Sequence, residues 1–336
     1  MNKVITFGEL MMRLATQNHE RFGQAQALRL SYGGGEFNVA VSLSNYGVSS
    51  QFITRLPDND LGRSAQEQVN RFKINSDHII FGGERLGLYF LEMGAGLRSS
   101  KVVYDRANSS MSTVKPGEFD WESIFNKASW FHWSGVTPAL SQNAADVCLE
   151  ALKVAKEKGV KISCDLNYRS KLWKYGKTPA QVMPELLKYS NVILGDIDTA
   201  YFMMGRDRIN PDYSAIDKLP ELYKPVIDQC PDLDYIATSL RHSLNTSHQE
   251  IGGLLYNKQN IYKAKNYEVE YVVDRVGSGD AFMAGLIYGL HNSSPQYAID
   301  FATAACSLKH TIPGDINRVS VDEVERFIKG NVDVQR

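Results

Sequence analysis

The chain has 336 residues, and its 37 Lys and Arg residues are balanced by 38 Asp and Glu residues, which gives a net charge of −1. This length is enough for one large α/β domain or two ordinary domains with a sizeable buried core. The near-zero charge carries no signature of binding to a polyanion, so we expect neither nucleic acid nor a membrane among the partners.

Targeting and redox signals point to a soluble protein. Glu9 interrupts the apolar opening MNKVITFGEL, which argues against a secretory signal. The apolar run around Ala281–Leu290 is too short to span a bilayer. The four cysteines are scattered without a C-x-x-C pair, so disulfides and a zinc site are disfavoured. We therefore expect a cytoplasmic protein.

Short β-rich runs alternate with helix-length segments, which is typical of a parallel sheet covered by helices. In chain order, the predicted elements are strand KVITFGEL, helix GEFNVAVSLSNYG, strand SQFITRL, helix LGRSAQEQVNRF, strand SWFHWSGV, helix SQNAADVCLEALKVAKEKG and strands VKISCDLN, SNVILGD and DYIATSL. A helix is predicted from Gly277, and SVDEVERFIKG is a last helix with Ser320 and Glu323 as a capping box. Because no repeat or linker is visible, residues 1–336 are predicted to form a single α/β domain.

Two stretches depart from this alternation. Residues Phe22–Tyr32 and Arg85–Arg106 alternate apolar with polar positions and lack helix-length neighbours, which favours an antiparallel sheet with one covered face. We predict a small β-sheet lid, with strands from about 10–32 and 83–108. The alternative, that these are edge strands of the central sheet, remains open at this point.

The segment DRVGSGDAF, residues Asp274–Phe282, follows a β-rich stretch and precedes a small-residue run with helical spacing. Gly277 and Gly279 permit a tight turn with positive φ and a close approach of a ligand to the backbone. Free N–H groups at such a helix start, together with the helix dipole, form an anion-binding site. The segment therefore predicts an anion site at residues 277–279.

Asp280 is unusual beside such a site, because a carboxylate repels a bound phosphate. Its presence is explained if it takes a proton from an attacking hydroxyl, since an anion hole with an adjacent base is what phosphoryl transfer to an alcohol requires. The alternative is a carboxylate that only caps the helix or interacts with its dipole. These residues alone support the two interpretations about equally.

DRVGSGDAF resembles the D-T-x-G-A-G-D-x-F signature of the PfkB (ribokinase-like) carbohydrate kinases, with Arg275 and Ser278 as departures. The family's other signature, a Gly-Gly pair followed by Asn-x-Ala, is matched by GGGEFNVAVSL, residues Gly33–Leu43. The resemblance extends over nearly the whole chain. It implies a ribokinase-like α/β fold, with a mostly parallel central sheet, helices on both faces and a small β-sheet lid. No G-x-G-x-x-G follows the first strand, which disfavours a Rossmann dinucleotide site.

The resemblance also implies roles for individual residues. Asp280 would be the catalytic base, and the N–H groups of Gly277, Ser278 and Gly279 would stabilise the γ-phosphate of ATP during its transfer. Mg²⁺ would be held mainly through the ATP phosphates and water, without a dedicated set of protein ligands. Asp274 would be associated with a monovalent cation or with loop positioning. The lid would pair subunits in a homo-oligomer.

The segments VVYDRA, GLYFLE and GELMMRL resemble the 2-keto-3-deoxygluconate kinase branch of the family, whose substrate carries a C1 carboxylate. A guanidinium binds a carboxylate bidentately and phenols add hydrogen bonds, so this lid composition favours an acid sugar. The implied product is 2-keto-3-deoxy-6-phosphogluconate. The residues that would hold the sugar are Gly34, Asn38, Tyr89, Tyr104, Arg106, Arg169, Asp280 and Asp315.

Other interpretations of the lid residues remain open. Arg106 could form an ion pair within the lid, and Tyr89 and Tyr104 could pack in its core. The kinase could also act on a neutral sugar such as fructose or ribose, or the chain could be a non-catalytic sugar-binding relative. An intact Asp280 argues against the last alternative, because a pure binding protein needs no base.

The nucleotide side departs from the family pattern in two places. The usual N-x-x-E motif, which orders waters around Mg²⁺, is replaced by ILGDIDTAYF with Asp196, Asp198 and Thr199. The usual lysine or threonine with Gly-x-x-Gly is replaced by ATSLRHSLNTSHQEIGG, a longer loop without those glycines. The residues predicted to contact ATP are Asn167, Arg169, Thr238, Ser239, Arg241, Gly277, Ser278 and Gly279.

Overall fold

The computed structural model describes residues 3–331, which form a large sheet, a small sheet and a short strand pair. In chain order the strands are β1 (Lys3–Phe7), β2 (Met11–Ala15), β3 (Arg29–Gly33), β4 (Ser50–Ile53), β5 (Arg55–Leu56), β6 (Ile80–Phe81), β7 (Gly87–Glu92), β8 (Lys101–Asp105), β9 (Ala128–Ser134), β10 (Lys161–Asp165), β11 (Val192–Leu194), β12 (Tyr235–Asn245), β13 (His248–Tyr256), β14 (Ile261–Lys263) and β15 (Tyr267–Val269).

The helices follow the predicted segments and add five that the sequence analysis did not name, at residues 121–124, 179–187, 197–203, 219–229 and 295–309. The predicted capping box of Ser320 and Glu323 is present at the start of the last helix. In chain order the helices are α1 (Gly35–Asn45), α2 (Asp60–Arg71), α3 (Trp121–Ile124), α4 (Gln142–Glu157), α5 (Pro179–Leu187), α6 (Ile197–Met203), α7 (Leu219–Gln229), α8 (Ser278–Asn292), α9 (Pro295–Lys309) and α10 (Val321–Ile328).

The large sheet has the strand order β14-β13-β12-β11-β10-β9-β1-β4, and β15 also pairs with β13. All neighbours from β4 to β12 are parallel. Alternate side chains enter two separate cores, since Ile5 and Phe131 pack with α4–α7 whereas Val4 and Trp130 pack with α1 and α8–α10. The predicted α/β class, with helices on both faces of a mostly parallel sheet, is confirmed.

One edge of this sheet differs from the prediction. Residues 238–253, expected to be a loop, belong to the antiparallel hairpin of β12 and β13. Its turn lacks the glycine or proline that usually marks a hairpin. Instead, the Asn245 side chain accepts a hydrogen bond of 2.8 Å from the Ser247 N–H, which closes the turn locally. The polar composition alone could not distinguish this hairpin from a loop.

The small sheet, called the lid sheet below, has the order β3-β2-β7-β8 and is separate from the large one. This confirms a separate small sheet, but it is mixed rather than antiparallel, because β2 and β7 pair in parallel. Met11, Tyr89, Val102 and Tyr104 on one face line a cavity. Among residues 3–331, no helix is both long and apolar enough to cross a membrane.

Candidate active site

A cavity of about 790 Å³ opens where the parallel strands end. This edge of an open α/β sheet is where ligands bind in such folds. The segments after β9, β10 and β11, the N-termini of α1 and α8, and the lid sheet enclose the cavity. The predicted site residues that line it are Gly34, Asn38, Tyr89, Tyr104, Arg106, Asn167, Arg169, Arg241, Gly277, Ser278, Gly279, Asp280 and Asp315.

The glycine turn lies at the N-terminus of α8. Gly277 has a left-handed φ of 81°, and a Cβ there would lie 1.8 Å from the Asp315 carbonyl oxygen, so only glycine is accommodated. A Cβ at Gly279 would meet nothing within 4 Å. The Ser278 N–H donates to the Arg275 carbonyl at 3.3 Å, whereas the N–H groups of Gly277 and Gly279 have no acceptor within residues 3–331. The turn can therefore offer two free donors to an anion.

Asp280 lies in the first turn of α8 and faces Asn38 in the first turns of α1. The Asn38 side-chain amide donates a hydrogen bond of 2.7 Å to one carboxylate oxygen of Asp280. Burial raises the pKa of Asp280 to about 7, helped by the charges of Asp165, Asp315 and Glu36 and opposed by the Asn38 hydrogen bond. Such a carboxyl is a suitable general base near neutral pH.

Unpaired polar atoms near the cavity indicate where a polar ligand could bind. The side-chain oxygens of Asn38 and Asn167 are buried without a hydrogen-bond partner in the described chain. Asn167 follows β10 with a φ of 37°, and its N–H donates to Asp165 at 3.0 Å. Buried amide oxygens without a hydrogen-bond partner are costly in a folded protein. A ligand with several hydroxyl groups could donate the hydrogen bonds that these two oxygens lack.

Arg13 is a site residue that the sequence analysis missed. Its guanidinium, only 3% exposed, contacts the carboxylates of Asp274 and Asp315, each at 2.5 Å. The Tyr89 hydroxyl donates to the other oxygen of Asp315, also at 2.5 Å. These four residues, called the lid bracket below, join β2 and β7 to the two loops beside the glycine turn at residues 277–279, which is called the anion turn below. A charged residue within the buried strand MMRLA was the available signal.

Arg106 lies beside the cavity, but its guanidinium already has a partner. Its Nε donates to Glu9 at 2.7 Å, its Nη2 contacts the same carboxylate oxygen, and the Ser109 hydroxyl contacts the other oxygen. Both Arg106 and Glu9 are buried. The ion pair within the lid region, left open by the sequence, is therefore formed. The Nη1 group makes no hydrogen bond within residues 3–331 and remains a donor for a ligand.

Three arginines give the other end of the cavity a positive charge. Arg169, Arg241 and Arg275 all line it, and in the described chain the Arg169 guanidinium donates to the Tyr168 carbonyl, at 3.1 Å. Arg275 was considered only as a departure from the family signature, yet it lies beside the anion turn. Guanidinium groups next to a helix N-terminus suit a polyphosphate, so this end of the cavity could bind one.

Not every predicted nucleotide residue reaches the cavity. The Thr238 hydroxyl donates to the Gly195 carbonyl at 2.9 Å, and the Ser239 hydroxyl lies beside the Cys306 thiol. Both residues are absent from the cavity lining. Asp196 does line it, while capping α6 by accepting from the Thr199 N–H at 2.9 Å. The hairpin geometry therefore leaves Arg241 as the predicted contact from this region.

A buried cationic side chain lies beside Asp274, where the family resemblance implies a monovalent cation. Within residues 3–331, no group of three or more His, Cys, Asp or Glu side chains is arranged to hold a metal ion. The Lys309 ammonium donates to the Asp274 carbonyl at 3.1 Å.

A mostly parallel sheet covered by helices on both faces, together with a small separate sheet, is the ribokinase-like α/β architecture. The profile of the pfkB family carbohydrate kinases matches residues 1–321. The chain belongs to this family of carbohydrate kinases.

Three of the relatives that it resembles cover nearly the whole chain. The 2-dehydro-3-deoxygalactonokinase of Haloferax volcanii is 31% identical over 329 residues, covering 98% of this chain and 97% of its own length. The crystal structure of 2-dehydro-3-deoxygluconokinase from Thermotoga maritima has a TM-score of 0.92 at 38% identity, covering 98% of this chain and all of that chain. At lower similarity, the 2-dehydro-3-deoxygluconokinase of Bacillus subtilis is 23% identical over 322 residues, covering 95% of this chain and 93% of its own length.

Proposed function

We propose that this protein transfers the γ-phosphate of ATP to the 6-hydroxyl of 2-keto-3-deoxygluconate, giving ADP and 2-keto-3-deoxy-6-phosphogluconate. The observation that carries this proposal is the pairing of Asp280 with a glycine turn inside one cavity that also holds a buried lid arginine. The names of the long relatives support the same class of substrate.

In the proposed reaction, the Asp280 carboxylate takes the proton of the acceptor hydroxyl as that oxygen bonds to the γ-phosphorus. The bond from phosphorus to the bridging oxygen of ADP breaks, and ADP leaves with the electron pair. The N–H groups of Gly277 and Gly279 stabilise charge on the transferring group. Asn38 holds the Asp280 carboxylate in position through its hydrogen bond of 2.7 Å. When held by the ATP phosphates and water, Mg²⁺ would contribute charge neutralisation.

The relatives leave the epimer open within this substrate class. One is named for a deoxygalactonate and the other for a deoxygluconate, and the two acids differ only in the configuration at one carbon. Both carry the C1 carboxylate that the free Nη1 of Arg106 could bind. We therefore propose a 2-keto-3-deoxy sugar acid as the class and the gluconate form as the preferred member.

A panel of acceptors tests this proposal. Release of ADP would be measured with both 2-keto-3-deoxy acids, fructose, ribose and no acceptor. The proposal expects the highest kcat/KM with the gluconate acid. Faster turnover of fructose or ribose would establish the alternative of a neutral-sugar kinase, and sugar binding without any ADP release would establish a non-catalytic relative.

Arg106→Ala is expected to reduce kcat/KM for 2-keto-3-deoxygluconate by about 2–4 kcal/mol, roughly 30- to 10³-fold, through loss of a charge-assisted hydrogen bond. The loss should be much smaller for an analogue with a neutral hydroxymethyl group in place of the C1 acid. Arg106→Lys should recover only part of it, because an ammonium lacks the planar fork of donors. Steady-state kinetics with both acceptors measures these effects.

Glu9→Gln is the matched control for this experiment, because Arg106 forms a buried ion pair with Glu9. This variant weakens the ion pair and keeps the guanidinium. It should lower turnover of acid and neutral acceptors by the same factor, whereas Arg106→Ala should change their ratio. An unchanged ratio in Arg106→Ala would mean that Arg106 only supports the lid.

We also propose that two copies pair through the outer face of the lid sheet. Leu30, Leu14, Phe90 and Val103 are directly opposite one another across the four strands. Leu30 and Val103 are 51% and 52% exposed at the ends of this row. Leu14 and Phe90 between them are half-buried. Exposed apolar side chains at both ends of one sheet face are a feature of interaction surfaces, and a two-fold dimer would place this face against its own copy.

Val103→Asp is expected to convert such a dimer to a monomer, because the new carboxylate would be buried without a partner at the interface. Sedimentation velocity measures the change in mass. Leu61→Asp is the control, since Leu61 is equally exposed, at 51%, but lies on α2 outside the lid. A wild-type monomer at all concentrations would refute the pairing.

We propose the cytoplasm as the location. All four cysteines are free and buried, which suits a reducing compartment. Recovery of the native protein in an extracytoplasmic fraction of its cells would contradict this assignment.

A further inference from the structure

A buried lysine lies behind the anion turn and takes no part in the proposed reaction. Lys309, the last residue of α9, is 0% exposed. Its ammonium donates to the carbonyl oxygens of Asp274 and Ile312, both at 3.1 Å. It takes part in none of the ion pairs formed within residues 3–331. A buried charge is costly unless its surroundings compensate it. The presence of a buried ammonium at this position therefore needs an explanation.

The two carbonyl groups belong to the two loops that shape the anion turn. One loop leads from Asp274 to Gly277, and the other from Ile312 to Asp315. The Gly314 N–H donates to the Asp274 side chain at 3.0 Å, and the backbone of Gly277 packs directly against the Asp315 carbonyl. The Lys309 ammonium therefore ties together the loops whose contact fixes the direction of the Gly277 and Gly279 N–H groups.

The charges around Lys309 are compatible with an ammonium in this position. Burial lowers the pKa of Lys309, while the nearby carboxylates of Asp274 and Asp315 raise it. Arg13 is the other cation of the same cluster and contacts both carboxylates directly. The two cations therefore bind different groups. Arg13 pairs with the side chains of Asp274 and Asp315, whereas Lys309 binds main-chain oxygens.

We propose that Lys309 is a built-in monovalent cation of this kinase, holding the two loops together through their carbonyl oxygens so that the anion turn needs no dissolved K⁺. Neutral carbonyl oxygens around a single positive charge are the ligand type that alkali cations and ammonium share. Lys309 is thus a positioning residue. The inference rests on the proposed kinase function for its catalytic consequence, but the cation-binding part can be measured without turnover.

Lys309→Ala is the informative variant, because it removes the ammonium and leaves a space lined by carbonyl oxygens. Activity would be measured in KCl, NH₄Cl and choline chloride at equal ionic strength. Wild type should have the same kcat in all three salts. The variant should lose activity in choline chloride on the order of 10-fold, less than the roughly 10²–10³-fold effect of deleting an anion-hole donor. K⁺ or NH₄⁺ should restore much of this loss.

Two further variants separate positioning from general damage. Lys309→Met keeps most of the side-chain volume without the charge, so it should lose activity without recovery by K⁺. Lys153→Ala, on the exposed face of α4, should behave as wild type in every salt. Loss of activity in Lys309→Ala with no recovery in any salt would overturn the proposal, and so would activation of wild type by K⁺.

A thermal shift gives a readout that does not depend on turnover. K⁺ should raise the Tm of Lys309→Ala relative to choline at equal ionic strength, because it binds the folded state only, and should leave the wild-type Tm unchanged. If Lys309→Ala does not fold, the wild-type comparison still decides, since a K⁺-dependent wild type refutes the inference. Absence of kinase activity in wild type would refute the proposed function and leave the Tm result standing.

Discussion

Asp280→Asn is expected to lower kcat by roughly 10²–10⁴-fold, the usual effect of removing a general base. The asparagine oxygen can still accept the hydrogen bond that Asn38 donates at 2.7 Å, so binding of ATP and sugar should be retained. Single-turnover kinetics and calorimetric binding measure the two effects separately. Retention of more than about a tenth of wild-type kcat would mean that Asp280 only caps α8.

The pH dependence supplies the control for this variant. Because burial raises the pKa of Asp280 to about 7, the base is protonated and inactive in the free enzyme below that pH. Wild-type kcat/KM should therefore rise with pH through about 7 and level off above it. The residual activity of Asp280→Asn should lack this rise. An identical pH profile in both proteins would assign the ionisation to another group.

Gly277→Ala is expected to lower kcat by at least about 10²-fold, comparable to loss of an anion-hole donor. The added Cβ would lie 1.8 Å from the Asp315 carbonyl oxygen at a φ of 81°, so the turn must move away from the 310–315 loop. The N–H groups of Gly277 and Gly279 would then lose their direction. Steady-state kinetics measures the loss.

Gly159→Ala separates this effect from backbone strain alone. Gly159 also has a positive φ, of 67°, but a Cβ there would meet nothing within 4 Å. This control should cost about 1 kcal/mol of stability, as seen for alanine in a left-handed conformation, with kcat unchanged. If Gly277→Ala matched the control in kcat, the close packing on Asp315 would not matter for the reaction.

The parts of this site that could be predicted from sequence depend on local backbone rules. The glycine turn and the small-residue run after it predict the start of α8, and apolar periodicity predicts the parallel core. The separate lid sheet follows from alternation at residues 85–106. Predictions from local patterns of this kind agree with the folded structure because they reflect conformations that each segment prefers by itself.

The remaining parts depend on partners distant in sequence. Arg106 was predicted to contact the substrate, with an ion pair in the lid as the alternative, but its partner Glu9 lies 97 residues away and could not be named. Arg13 meets Asp274, 261 residues away, and nothing local to either residue indicates the other. Long-range pairings of this kind are invisible to periodicity and turn chemistry. The β12–β13 hairpin was missed for a local reason, because its turn is closed by an asparagine side chain and lacks glycine and proline.

The lid bracket has a consequence for attempts to change the sugar that the enzyme accepts. Arg13 belongs to the lid sheet, whereas its partners Asp274 and Asp315 belong to the loops beside the glycine turn that we propose as the phosphate site. A lid transplanted from another sugar kinase without an equivalent arginine would leave two carboxylates buried and unpaired, and removing one member of a buried pair costs about 3–5 kcal/mol. The lid that contacts the sugar and the loops beside the anion turn would therefore have to change together, both in protein design and in evolution.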